Sequence, residues 1–189
     1  ETVLVAGINP FKEHSEDEMD AFKDTAIKVF KGAKVVGDMT RLNQDLISGE
    51  IDLYLTGGTY SVSRARAGGY PQMRSITPLK GPIDGKGGVA WIEITSTVNN
   101  PDLSPLALEF LKYVQAPTVA HTVAFAESTY NPVTQMGNPE CFALFTKEDL
   151  DAIQWGSLEE EMSRCAEYDI VPDYTKALDL MTAAKRTRS

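Results

Sequence analysis

The chain has 189 residues, 42% of them hydrophobic and 24% charged, with a formal net charge of −9. That length suits one compact domain or parts of two small ones, with apolar residues enough for a core. The acidic balance argues against nucleic acid as a partner, because phosphate binding needs a basic face, and no stretch reaches the roughly 20 apolar residues that span a bilayer as a helix.

The opening residues, Glu1 to Pro10, lack an initiator Met and begin in mid-pattern, like the end of a helix stopped near Gly7 and Pro10. The expectation is a mature or excised fragment whose N-terminal part is missing. Ser15-Glu16-Asp17-Glu18 has the form of a capping box. Met19, Phe22, Ala26, Ile27 and Phe30 follow at helical spacing up to Gly32. Lys34–Val36 reads as a short strand, and Thr40–Ser48 as a helix with Leu42, Leu46 and Ile47 inward, stopped by Gly49. Ile51–Thr56 reads as a strand turned by Gly57-Gly58, and a helix follows from Thr59 to Gly68-Gly69. Arg74–Pro78 reads as another strand, Lys80–Gly88 as a loop with four glycines and a proline, and Ala90–Thr95 as a further strand.

Ser104 caps a helix with Pro105 at its first position, and Leu103, Leu106, Ala107, Phe110, Leu111 and Val114 mark its buried face. Pro117–Ala126 is a second helix, Ser128–Asn138 a loop, and Thr146-x-x-Asp149 opens a short helix through Gln154. The last helix runs from about Pro172 to Arg186, and the basic run Lys185–Arg188 is its solvated end. Strand–helix alternation implies an α/β fold with a mostly parallel sheet flanked by helices.

Chemistry-bearing residues are sparse. Cys141 and Cys165 form no Cys-x-x-Cys and no metal set; a disulfide and two free thiols both remain open. His14 reads as loop surface and His121 as a packed or rim residue of a helix. The acidic run Glu159–Glu161 reads as a solvated face. Gly-x-Ser-x-Gly, His-Glu-x-x-His and paired Cys/His contexts are lacking, so the expectation is a protein that is not an enzyme and carries no cofactor or metal.

Four stretches in order carry a resemblance. They are Ser48-Gly49-Glu50-Ile51-Asp52-Leu53, Gly87-Gly88-Val89-Ala90-Trp91-Ile92-Glu93, the helix from Asn99 through Pro117, and Tyr130-Asn131-Pro132. Together they resemble the solute-binding proteins of ABC importers, of the spermidine/putrescine type. The resemblance spans roughly residues 48–132, and the region from Thr146 resembles the family's C-terminal helices more loosely. It implies a type II periplasmic-binding-protein-like fold, with this chain as a fragment of a bilobal protein. Residues 1–86 would be part of the second lobe, 87–135 a crossover and return segment of the first, and 136–189 helices packing on the second. It also implies a periplasmic protein (or an extracellular lipid-anchored one), a membrane permease as partner, and a small solute bound in a cleft that closes by a hinge.

A polyamine site needs carboxylates for its ammonium groups and aromatic faces along its stem. Trp91 and Glu93 stand two apart on the expected strand and so share a face. Spacing alone allows a core Trp with a solvated Glu; the resemblance implies that Trp91 stacks on the ligand and Glu93 pairs with an amine, where the family usually has Asp. Tyr130 is either a further aromatic wall or a packed turn tyrosine. The family's aromatic near the second strand falls here on Gly57, with Tyr60 as its substitute. Gly57-Gly58-Thr59-Tyr60 is a tight turn in the plain reading, and its N–H groups offer an anion or carbonyl site in the alternative. Asp38 either faces the cleft or caps the Thr40–Ser48 helix. The competing functions are a binding protein for an anionic or zwitterionic solute and the ligand-sensing effector domain of a regulator.

Overall fold

A computed structural model describes residues 2–34, 38–92, 94–125 and 134–187. Helix accounts for 53% of it, against one small parallel pair of strands. The chain is mixed α/β, and helix packing rather than a sheet carries its cores. It divides into two compact units, one of Glu1–Thr56, Ile76–Trp91 and Glu159–Ser189, the other of Gly57–Ser75 and Ile92–Leu158. Among the described residues no helix is long and apolar enough to cross a membrane.

The first unit is built on α1 (Thr2–Val5), α2 (Glu16–Gly32) and α10 (Tyr174–Arg186). The Ser15 hydroxyl accepts from the Glu18 N–H while the Glu18 carboxylate accepts from the Ser15 N–H at 2.8 Å, so the capping box forms as expected. Met19, Phe22, Ala26 and Phe30 of α2 are buried with Ile8 and Ala184, and Ala177, Leu180 and Met181 of α10 cover them. The 3.6-residue period thus becomes a buried stripe, because both helices present their apolar sides to one another. Lys176 of α10 pairs with Glu16 of α2 at 2.7 Å across the exposed rim.

His14 departs from the expected loop surface. Its side chain is only 6% exposed, with Nδ1 at 2.8 Å from the Asp173 carboxylate and Nε2 at 2.8 Å from the Asn9 carbonyl oxygen. Its backbone N–H also donates to Asp173. The partner lies 159 positions away, which no local pattern reveals.

The rest of this unit holds α3 (Met39–Ser48), α9 (Leu158–Ser163) and the strands β1 (Gly88–Ala90) and β2 (Cys165–Glu167). The strands run parallel, with Gly88 opposite Cys165, Val89 opposite Ala166 and Ala90 opposite Glu167. α3 ends as expected at Gly49, whose φ of 74° is the left-handed geometry that glycine adopts without strain.

Three expected strands differ. Ile51–Thr56 is not a strand, and Leu53 and Leu55 are 70% and 48% exposed; among the described residues its alternation has no neighbour to complete a ladder. Arg74–Pro78 is not one either, because side chains take the place of a partner strand. The Gln154 amide exchanges two hydrogen bonds with the Ser75 backbone, and Glu161 accepts from the Thr77 N–H at 2.5 Å. The strand expected over Ala90–Thr95 lies earlier and is shorter, ending at Ala90, where pairing with β2 stops. The strand expected at Lys34–Val36 lies mostly outside the described residues, and Lys34 itself is not in a strand.

The second unit holds α4 (Tyr60–Ala67), α5 (Pro105–Val114), α6 (Pro117–Ala124), α7 (Pro139–Phe142) and α8 (Lys147–Ala152). Its core is Ala120, Ala124, Met136, Cys141, Phe145 and Ile153, with Phe142, Leu150 and Trp155 packed on it. The His121 ring meets the Phe145 and Phe125 rings edge-on at 4.8 and 4.9 Å, so His121 is the packed residue of the sequence reading. Thr146 and Asp149 form a second capping box at the start of α8.

The Ser104 cap and Pro105 start α5 as expected, but its expected buried face is displaced. Leu103, Ala107, Leu111 and Val114 are half-buried, whereas Leu106 and Phe110 are 75% and 57% exposed. The helix is apolar on more than one side, so periodicity alone does not say which side packs. Both cysteines are free thiols.

Candidate functional site

The site centres on the segment that leads to Trp91. Gly87 and Gly88 enter β1 through a tight passage. A Cβ on Gly87 would lie 2.3 Å from the Pro78 carbonyl oxygen, and one on Gly88 would lie 2.7 Å from Thr77 Cγ2 and 3.0 Å from Cys165 Sγ. Close approach of the Pro78 backbone requires glycine at position 87, whereas at position 88 the neighbours are side chains that would have to shift. The N–H groups of Gly87 and Gly88 both donate to the Arg164 carbonyl oxygen, at 3.1 and 3.3 Å.

Side chains from α9 and the residue after it fix this passage. The Arg164 guanidinium pairs with Glu160 and donates to the Thr77 carbonyl oxygen at 3.4 Å. The Glu161 side chain, 15% exposed, accepts from the Thr77 N–H and lies 3.8 Å from Arg164. Lys86 Nζ donates to the Ser163 carbonyl oxygen. The acidic run is therefore only partly a solvated face: Glu159 and Glu160 are exposed, while Glu161 is turned inward to serve as a backbone partner. A charge run carries no sign of this in sequence; the cue available was Arg164 at (i, i+3) and (i, i+4) from the two carboxylates.

Cys165, opposite Gly88, donates its thiol to the Glu161 carbonyl oxygen at 3.4 Å. Burial pushes this thiol up from its ordinary value, and the negative charge of Glu161 adds to the rise, against opposing effects of Thr77 and Lys86. The thiol form is favoured, which suits packing rather than nucleophilic attack.

Trp91 follows directly after β1 and is 57% exposed. The indole therefore stands at the carboxyl end of one strand of a two-stranded parallel ladder. Glu93 and Tyr130 lie outside the described residues, and the shared face expected for Trp91 and Glu93 lies there with them.

The remaining candidates have local roles. Asp38 accepts from the Arg41 N–H at 2.8 Å and caps α3, the second of its two sequence readings. Behind it, Asp45 is 1% exposed and takes Lys34 Nζ at 2.9 Å and Arg41 Nε at 2.8 Å. The hydrogen bond from Lys34, then the charge of Arg41, hold the Asp45 carboxyl below its ordinary value against the opposing effect of burial. In the second unit Thr59 precedes α4 in helical geometry without a side-chain cap, and Tyr60 is the first residue of that helix. The Gly58 N–H donates to Ser61 Oγ at 3.2 Å, which consumes one donor of the turn. Trp91 and Asp38 belong to the first unit, Thr59 and Tyr60 to the second.

No protein-family model, curated protein or solved structure matches this chain.

Proposed function

We propose that this chain belongs to the substrate-binding component of an ABC importer, with a type II periplasmic-binding-protein-like fold, and that it binds a small amine-bearing solute of polyamine type. Two things support the reading. One is the order of the four sequence stretches between residues 48 and 132. The other, and the single observation that carries it, is the exposed Trp91 at the carboxyl end of β1, delivered through a passage that has no room for a side chain at Gly87. In this reading the indole stacks on the alkyl-ammonium stem and Glu93 supplies the carboxylate. Solute, permease and export from the cytoplasm belong to the same proposal.

The test uses the native protein and its two tryptophans, Trp91 and Trp155. In a Trp155→Phe background, spermidine or putrescine should change the Trp91 emission, and calorimetry should give the affinity. Trp91→Ala and Glu93→Gln should each weaken binding by about 1 kcal/mol or more, roughly a fivefold change. Carboxylates titrated in parallel should leave the emission unchanged. Amine affinity unaltered in both variants would sink the proposal.

A further inference from the structure

The second unit contains an open cleft of ≈ 290 Å³ lined by Arg66, Pro71, Arg74, Leu150, Asp151 and Gln154 among others. None of these belongs to the Trp91 site.

Its walls are held by hydrogen bonds that are partly buried or exposed. Arg66, in the last turn of α4, donates through Nη2 and Nε to the Asp151 carbonyl oxygen at 2.8 and 3.1 Å, and through Nε to the Ala152 carbonyl oxygen at 3.2 Å. Its Nη1 donates to the Met73 carbonyl oxygen at 2.7 Å and to that of Pro71. Gln154, 5% exposed, clamps the Ser75 backbone from both ends of its amide. The segment 71–75 and the segment 151–154 are thereby tied together, so the cleft exists before any ligand arrives. Preorganisation of this kind lowers the ordering cost of binding.

The two arginines differ. Arg66 spends its donors on backbone carbonyls. Arg74 is exposed and makes no hydrogen bond or ion pair among the described residues. The two cations are near enough that burial and the charge of Arg74 together hold Arg66 below its ordinary value, while Asp151 acts the other way. Two guanidiniums and one carboxylate leave one positive charge, which a single negative charge balances; a phosphate dianion overshoots it. The planar fork of Arg74 matches a carboxylate through two parallel hydrogen bonds. Leu150 and Pro71 are the apolar members of a lining that is otherwise mostly polar. The volume lies just below the range of ligand pockets, which begins near about 300 Å³.

We propose that this cleft binds a short-chain monocarboxylate, with Arg74 gripping the carboxylate and the stem lying beside Leu150 and Pro71. The site is separate from the Trp91 wall, and its fate does not depend on the importer reading.

The test is calorimetric titration of the native protein at low salt with hexanoate, acetate and inorganic phosphate. Hexanoate should bind, and more tightly than acetate. Arg74→Ala should weaken hexanoate by roughly tenfold or more, and Arg74→Lys should recover only part of that, because an ammonium keeps the charge and loses the fork. Trp91→Ala should leave hexanoate affinity intact. Absence of hexanoate binding, phosphate bound more tightly than hexanoate, or full affinity in Arg74→Ala would each overturn the proposal.

Discussion

Replacing Gly87 by Ala places one methyl group into the passage beside β1. Its carbon would meet the Pro78 carbonyl oxygen at 2.3 Å, the Pro78 Cβ at 2.7 Å and the Pro78 carbonyl carbon at 2.9 Å. All three atoms belong to backbone or to a proline ring, so no rotamer change relieves the overlap. The chain must move, and the Gly87 N–H bond to the Arg164 carbonyl oxygen moves with it. Overpacking of this kind costs about 1–3 kcal/mol, and the backbone nature of the obstacle places this case toward the upper end. Gly32→Ala is the internal control. Nothing lies within 4 Å of a Cβ at Gly32, the last residue of α2, and alanine there should stabilise by about 0.5 kcal/mol. Urea unfolding of the native protein and both variants measures the two shifts in opposite directions. The Trp91 emission of Gly87→Ala should shift as well, since Trp91 follows the strand that moves. A Gly87→Ala protein with native midpoint and native emission would refute the account of the passage.

Two further outcomes follow from charged side chains of the first unit. The Asp173 carboxyl is held below its ordinary value, first by the hydrogen bond from the His14 side chain, with a smaller contribution from the His14 backbone N–H, against the opposing effect of burial. A carboxyl lowered in the folded state stabilises at every pH above the ordinary carboxylate value, near about 4, and the benefit is lost as pH falls through the lower folded value. The stability gap between the native protein and Asp173→Asn should therefore stay level near neutrality and close in acid; a gap equally wide in strong acid contradicts this. Asp45 and Glu50 share the cations Lys34 and Arg41, but Asp45 is buried and the Glu50 side chain is 53% exposed. Removing the buried partner leaves two neighbouring cations short of their main counter-charge, whereas an exposed ion pair adds little. Asp45→Ala should lower the urea midpoint well beyond Glu50→Ala, and equal losses would show that burial is not what gives Asp45 its weight.

Local chemistry was readable from the sequence at helix starts and stops, where the partners stand within four residues. The Ser15–Glu18 and Thr146–Asp149 capping boxes, the glycine stop at Gly49 and the buried stripe of Met19, Phe22, Ala26 and Phe30 all form. Strands were less legible, because a strand exists only when a neighbour pairs with it. Residues 51–56 alternate as a strand should and join no ladder among the described residues, while the Ser75 and Thr77 backbones bond to the side chains of Gln154 and Glu161. Of the candidate site, sequence singled out Trp91 and the glycines before it. It did not mark Glu161 and Arg164, whose contribution rests on segments more than 80 positions away. Nor did it mark Arg66 and Arg74, two arginines on a short helix and in the loop after it.

The sequence by itself determined where the capped helices begin, which residues of α2 face inward, and where glycine is needed. These are matters of backbone geometry and short-range hydrogen bonding, settled within a turn or two of chain. Only the tertiary structure decided that His14 is enclosed by Asp173, that Leu106 and Phe110 of α5 face outward, and that β1 pairs with β2 across 77 positions of chain. Each of these depends on which distant segment arrives to remove a group from water, and that choice is made by packing.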